Sequence, residues 1–116
     1  MPIIRREDVP AEEEGRLRRQ PIARSDLGAT SLTVTEITLL PGGQIPLHIH
    51  PGHEECIMIL EGALEAVLGD DKETVVAGST IIAPDSVKHS LTNTSDRPAK
   101  ILAIFPTTDV QRQFFE

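Results

Sequence analysis

The sequence predicts an all-β protein, either a sandwich or a barrel. Its apolar residues occur in short runs bounded by glycine, proline, asparagine and aspartate, which is the pattern of strands joined by tight turns. No long segment has the apolar spacing of a helix. A length of 116 residues suits about one domain with one core, so residues 1–116 are predicted to form a single domain.

The first half of the chain contains strands rich in aliphatic and β-branched residues, each ending at a turn signal. The segment Cys56–Leu60 is apolar on both faces, so its outer face needs a covering layer, most simply a second subunit. The strands predicted here are Leu32–Leu39, Ile45–His50, Cys56–Leu60 and Ala63–Leu68, and the turns are Pro41–Gly43, Pro51–Gly52 and Glu61–Gly62.

The second half continues the same alternation of short strands and turns. A hairpin turn is predicted at Gly69–Asp71, and Pro84 is interpreted as a turn former. Asn93 is interpreted as a residue that ties down a loop. The strands predicted here are Glu73–Val76, Thr80–Ala83, Lys88–Asn93 and Ala99–Phe105.

The two ends of the chain are less regular. Residues 1–28 contain prolines and an acidic run and are predicted to form an arm with an edge strand. The pair Phe114–Phe115 is expected to dock on the barrel or on a partner. The arm, with Ile3 and Ile4, and the outer face of Cys56–Leu60 together predict a homodimer.

Charge and composition argue against several classes of partner. The net charge is −7, and acidic residues interrupt the arginines near the N-terminus, so no surface for nucleic acid or an anionic membrane is predicted. No apolar run approaches the roughly 20 residues that span a bilayer, and no signal-peptide pattern is present. The single cysteine, Cys56, cannot form an internal disulfide. These features predict a cytoplasmic protein.

His48 and His50 give the strongest functional signal. Alternate residues of a strand point to the same face, so a strand through this segment directs both imidazoles toward one point. A carboxylate from the next strand and a later histidine could complete a metal site, and Glu55 and His89 are the candidates. His53 is interpreted as a rim residue that supports a ligand or transfers a proton.

The spacing of these residues resembles two motifs of the cupin superfamily. The matching positions are Gly42, His48, His50, Glu55 and Gly62 in the first motif and Gly78, Pro84, His89 and Asn93 in the second. Ser86 departs from the pattern, because the second motif has a glycine there. The resemblance covers about Leu32 to Phe105 and implies a double-stranded β-helix, the cupin jelly-roll barrel, around one metal ion.

That resemblance implies one divalent transition metal ion per chain, held by His48, His50, Glu55 and His89. The spacing to Gly62 favours Glu55 over its neighbour Glu54, which would then face outward. Three imidazoles and one carboxylate leave open positions on an octahedral ion, which favours Mn or Fe, with Ni or Zn as alternatives.

The predicted function is a metal-dependent dioxygenase that resembles the quercetin-cleaving cupins and acts on a small molecule chelating the ion through two oxygens. In this hypothesis Glu55 could leave the ion and act as a base. One alternative is a non-catalytic module that binds the metal and a small ligand. The other is a sugar isomerase or epimerase, which needs polar cavity groups that the predicted strands offer sparingly.

Overall fold

The computed structural model describes residues 2–115 and contains two antiparallel β-sheets facing each other. The all-β prediction is confirmed. Met1 and Glu116, the ends of the predicted domain, lie outside the described residues. The strands are β1 Glu12–Glu14, β2 Leu17–Ala23, β3 Thr33–Leu39, β4 Gln44–Ile49, β5 Glu55–Glu61, β6 Ala63–Leu68, β7 Asp71–Val76, β8 Thr80–Ala83, β9 His89–Thr92, β10 Ala99–Phe105 and β11 Gln113–Phe114.

Strands that follow one another in the chain often lie in opposite sheets. The six-stranded sheet has the order β1-β2-β3-β10-β5-β8, and the five-stranded sheet has the order β11-β4-β9-β6-β7. The chain therefore crosses between the sheets several times, as in a jelly roll. Within residues 2–115, helical structure is limited to two short 3₁₀ turns, Arg6–Asp8 and Ser25–Leu27, so none of it is long and apolar enough to cross a membrane.

The strands predicted between residues 32 and 105 agree with the structure to within two residues at each end. Three further strands, β1, β2 and β11, were not individually predicted. β1 consists of three exposed glutamates, and β2 contains two arginines and a proline, so neither has the composition of a strand. Both form because pairing with a neighbouring strand satisfies their backbone groups.

Residues 2–28 are more closely integrated into the barrel than the predicted arm with one edge strand would be. β1 and β2 form a hairpin, and β2 pairs with β3 from Leu17 to Ala23. Leu17 belongs to the hydrophobic core, and the buried Gln20 side chain donates a hydrogen bond to the Val9 carbonyl at 2.9 Å. The six-stranded sheet thus depends on a segment outside the cupin motifs.

The core lies between the two sheets. Ile57 and Ile59 of β5 are buried there with Ile101 and Ala103 of β10, because the two strands are paired in a register that turns these residues to the same face. The alternate residues of β5 point outward, as predicted. The sheet is therefore apolar on both sides along this strand.

Asn93 ties together the corner that follows β9. Its side chain has no exposed surface, and its amide nitrogen donates to the carbonyls of Leu39 at 2.9 Å and Arg97 at 2.7 Å. Its amide oxygen accepts hydrogen bonds from the backbone and the hydroxyl of Ser95. The nitrogen and the oxygen of this buried amide are thus both hydrogen-bonded, as a buried polar group requires.

Several other motif positions have a backbone conformation that favours glycine, and Gly62 and Ser86 are the two that bear on the turns. Gly62 has a φ of 82°, and a Cβ there would lie 2.9 Å from the Pro98 carbonyl oxygen, so a side chain would meet backbone. Ser86 also adopts a positive φ, of 61°, and its hydroxyl donates to the Asp85 carboxylate at 2.7 Å. The turn at this corner therefore keeps the conformation expected of the glycine that Ser86 replaces.

Candidate metal centre

The strand register brings together the four side chains that the sequence analysis singled out. β4 pairs with β9 so that His48 lies directly opposite His89. His50 follows the last residue of β4, and Glu55 is the first residue of β5 in the other sheet. The cluster therefore depends on both sheets, and neither could assemble it alone.

The four donor groups are close together and buried. The Nε2 atom of His48 lies 3.1 Å from Nε2 of His50. The Oε1 atom of Glu55 lies 3.0 Å from Nε2 of His50 and 2.9 Å from Nε2 of His89. One candidate ligand atom from each residue lies within 4.8 Å of all the others, so a single ion could contact all four.

Backbone carbonyls orient all three imidazole rings. The Nδ1 atom of each ring lies beside one carbonyl oxygen, that of Pro46 for His48 at 2.7 Å, of Gln111 for His50 at 2.7 Å and of Val87 for His89 at 2.9 Å. A carbonyl can only accept, so each Nδ1 carries the hydrogen. In a neutral ring the Nε2 lone pair then points into the cluster, which is the tautomer that binds a metal.

This donor set fits a divalent transition metal ion. When both rings are neutral, the Nε2 lone pairs of His48 and His50 face each other at 3.1 Å and repel. The Glu55 carboxylate and the Nε2 lone pair of His50 repel each other in the same way. A proton or a cation placed among these atoms removes the repulsion. Three imidazole nitrogens and one carboxylate oxygen suit Mn, Fe, Ni or Zn.

The charges of the metal-free cluster follow from burial and contact. Burial is the main influence on His48 and lowers its pKa to about 4, which keeps that ring neutral. Burial also opposes ionisation of Glu55, but His50 and His89, whose Nε2 atoms can donate to the carboxylate when the rings are protonated, outweigh it and lower the pKa of Glu55 to about 2. Burial lowers the pKa of His89, but the bond to Glu55 more than offsets this effect and raises it. Glu55 is thus a carboxylate, ready to bind a cation.

The two polar neighbours in the preceding turn lie outside the cluster. Glu54 is exposed. His53 stacks on His50 with ring centroids 5.4 Å apart. Its Nδ1 donates to the Glu54 carbonyl, and its Nε2 accepts the backbone N–H of Gln111. Since the Gln111 carbonyl accepts from His50, His53 supports the orientation of a candidate ligand and has both nitrogens engaged.

The cluster forms one wall of a cavity of about 80 Å³ between the sheets. The rest of the wall is mainly apolar and includes Ile37, Ile45, Ile57, Leu91, Ile101 and Phe105. A volume of this size holds only a few water molecules. It would admit a small ligand or the reactive edge of a larger one.

The cavity also contains polar residues that the sequence analysis did not place. The Arg19 and Arg112 side chains line it together with Thr35 and Ser90. Arg19 lies on β2 and Arg112 directly precedes β11, two strands that the hydrophobic pattern did not predict. The one available signal was the alternation of Leu17 and Arg19, which places the arginine on the same face as a core residue.

The family follows from a comparison of the chain with known proteins. Residues 35–105 match the family model described as the cupin domain. The chain belongs to the cupin family. The matched segment includes all four residues of the cluster and excludes the β1–β2 hairpin and β11.

Relatives of this cupin differ widely in length. It is 31% identical to protein SchB of Streptomyces halstedii over 101 residues, which cover 86% of this chain and 73% of SchB. It is 35% identical over 79 residues to germin-like protein 1-1 of Oryza sativa subsp. japonica, covering 64% of this chain and 37% of that protein. The chain thus spans little more than a third of the germin-like protein.

A solved structure of similar size also matches. The polyketide cyclase RemF from Streptomyces resistomycificus superposes with a TM-score of 0.84 and 27% identity, covering 100% of this chain and 86% of RemF. The match includes the hairpin and the C-terminal strand that the family model leaves out. The prediction of a cupin barrel is therefore confirmed.

Proposed function

We propose that this cupin is a metal-dependent enzyme that binds a small, enolisable, oxygen-rich molecule through two of its oxygen atoms. The observation that carries the proposal is the cluster of three histidines and one glutamate in the wall of an otherwise mostly apolar cavity. Four protein donors leave positions free on a six-coordinate ion. The cavity provides the space for a ligand to occupy them.

A divalent ion in this cluster would act as a Lewis acid on carbonyl oxygens and, if redox-active, could support dioxygen chemistry. His48, His50, Glu55 and His89 would hold it. The apolar walls would limit water around the reacting atoms and strengthen electrostatic interactions there. Glu55 is also the one carboxylate among the described residues of the cavity wall, so it is the candidate base if it leaves the ion.

The relatives favour a substrate of the polyketide type. The polyketide cyclase RemF matches the whole of this chain, and the tetracenomycin polyketide synthase protein TcmJ of Streptomyces glaucescens is 24% identical over 94 residues. A polyketide presents carbonyl groups on alternate carbons, and such pairs chelate a metal through two oxygens. Proton removal between the carbonyls followed by ring closure needs no oxidant, which makes cyclisation our first candidate reaction.

The second candidate is the quercetinase-like dioxygenase. It is favoured by the same donor set, which suits Fe or Mn, and by the apolar wall beside it. A sugar isomerase ranks below both, because Thr35 and Ser90 are the only described hydroxyl residues in the wall. If no turnover occurs, the remaining hypothesis is a non-catalytic module that binds the metal and a small ligand. The cytoplasmic location stays a prediction.

The two reactions can be separated by their need for oxygen. Metal-free protein is reconstituted with Mn, Fe or Zn and incubated with β-diketones, flavonols and phenolic polyketide analogues, in air and under nitrogen. A cyclase consumes substrate under nitrogen. The metal-free protein and the Glu55→Gln variant should consume it at least about 100-fold more slowly than the metal-loaded wild type. Substrate loss in air alone, matched by oxygen uptake, would replace cyclisation with dioxygenation. Inactivity in every arm with tightly bound metal would favour the binding module.

The homodimer is part of the same proposal. On the outer face of the six-stranded sheet, the register aligns Ile104, Cys56 and Ile82 in one row across β10, β5 and β8. Ile82 is 50% exposed and Met58 in the next row is 38% exposed. A continuous apolar patch of this kind is typical of a subunit interface.

We expect light scattering to show a dimer of the wild type at micromolar concentration. Met58→Glu combined with Ile82→Glu should shift it to a monomer, because a charge buried in an apolar interface is strongly unfavourable. Val76→Glu is the matched control, since Val76 is 53% exposed on the other sheet. A monomeric wild type would contradict the prediction.

A further inference from the structure

Two arginine side chains face into the cavity that contains the candidate metal centre. Arg19 lies opposite Ile37 in the β2–β3 register, and both residues line the cavity. Arg112 enters from the segment before β11, with its guanidinium 5.6 Å from the centre of the Phe105 ring. Phe105 in turn contacts the ring of His50. The Phe105 ring therefore lies between Arg112 and the candidate metal ligand His50.

These arginines line the more open part of the cavity. Arg112 is exposed and Arg19 is half-buried, whereas His48, His50, Glu55 and His89 are buried. The exposed Phe114, at 49%, also belongs to the cavity wall. A ligand whose oxygens reach the histidines would thus extend past both guanidinium groups.

Neither guanidinium group has an ion-pair partner among residues 2–115. Glu12 is the cross-strand neighbour of Arg19, but the Glu12 carboxylate lies 3.3 Å from Arg24. Arg18, which directly precedes Arg19 on β2, faces the other side of the strand near Glu13. Arg19 repels the Arg112 guanidinium and Glu55 attracts it, so one carboxylate in the described cavity wall faces two cations, and a further anion bound there would be stabilised.

The charge of the cavity contrasts with that of the whole chain. The described cavity wall contains two arginines and one carboxylate, Glu55, and a divalent ion would add two further positive charges. The chain as a whole has a net charge of −7. A positive cavity in an acidic protein attracts small anions and leaves large polyanions excluded.

We infer that Arg19 and Arg112 form a binding site for a carboxylate group of the substrate, at the opposite end of the molecule from its metal-chelating oxygens. The inference rests on the proposed function, because it assigns the chemical class of that substrate, an acid that also carries a chelating dicarbonyl. Guanidinium groups match carboxylates in shape and donate paired hydrogen bonds to them. The arginines would then select the acid and orient its chelating end toward the histidines.

The test uses two matched probes, succinylacetone, a β-diketone with a distal carboxylate, and its methyl ester, which chelates identically but is neutral. Calorimetric titration of the Mn-loaded protein should give an affinity for the acid roughly 10- to 100-fold above that for the ester. Arg19→Gln and Arg112→Gln should each remove most of this difference and leave ester binding and metal content within about twofold. Arg19→Lys should restore part of the preference.

Arg18→Gln is the control variant. Arg18 is adjacent to Arg19 on the same strand, but its side chain is exposed on the opposite, outward face. It should behave as the wild type. Equal affinity for acid and ester, or equal losses in Arg18→Gln and Arg19→Gln, would overturn the inference while ester binding still supported the proposed function. Failure of the ester to bind, with arginine-dependent binding of the acid to metal-free protein, would reject metal chelation and keep the arginine site. If neither probe bound in either form, both would be overturned.

Discussion

His89→Ala is expected to lower the affinity of this cupin for Mn²⁺ by roughly 100-fold or more. The substitution removes one of the four donors and leaves His48 without the ring that lies directly opposite it. It also releases the Glu55 carboxylate from a contact of 2.9 Å, so the remaining donors lose their common orientation. Elemental analysis of the purified variant and titration of its metal-free form measure the effect.

Glu54→Ala is the matched control for this loss. Glu54 is adjacent to Glu55 in sequence but exposed, so its removal should leave the metal content unchanged. His50→Ala should behave like His89→Ala, and the circular dichroism of each variant shows whether the barrel is intact. Full metal occupancy in His50→Ala would refute the assignment of the ligands.

Asn93→Ala is expected to lower the free energy of unfolding by about 3 kcal/mol. The carbonyls of Leu39 and Arg97 would each lose their donor, and the backbone N–H of Ser95 would lose its acceptor. The Leu39 carbonyl is buried, so water replaces the lost hydrogen bond poorly. Denaturant unfolding in the presence of a chelator measures the change without the added stability that bound metal provides.

Thr94→Ala tests whether the effect belongs to the asparagine amide. Thr94 is the next residue and is exposed, so its substitution should change the free energy of unfolding by no more than about 0.5 kcal/mol. A loss in Asn93→Ala as small as in Thr94→Ala would show that the hydrogen bonds seen at this corner contribute little to stability.

The cluster itself was predictable because its geometry follows from local rules. His48 and His50 are two residues apart along an extended segment, so their side chains share a face whatever the rest of the chain does. Alternation also allows only one of Glu54 and Glu55 to face inward, and the spacing to Gly62 favoured Glu55, which the structure buries while it exposes Glu54. His89 was a candidate as a later histidine, but its assignment as the fourth ligand was supported by the resemblance to the cupin motifs, since local spacing cannot relate residues 41 positions apart.

The segments that complete the cavity could not be predicted in this way. β2 contains Arg18, Arg19 and Pro21, and its alternation is too weak to indicate a strand. It is held by pairing with β3, an interaction between backbones that leaves little trace in the sequence. β11 has two residues and exists because it pairs with β4 at Ile49 and His48.

The sequence by itself determined the fold class, the positions of the central strands along the chain and the shared face of His48 and His50, because side-chain alternation and turn chemistry act between near neighbours in the chain. Only the tertiary structure decided what faces the ligands across the cavity. Arg19 and Arg112 are brought to the same space by two strands from opposite ends of the chain, each paired to a different sheet. Such a juxtaposition depends on the closure of the barrel, and hydrophobic periodicity along the chain carries no information about that closure.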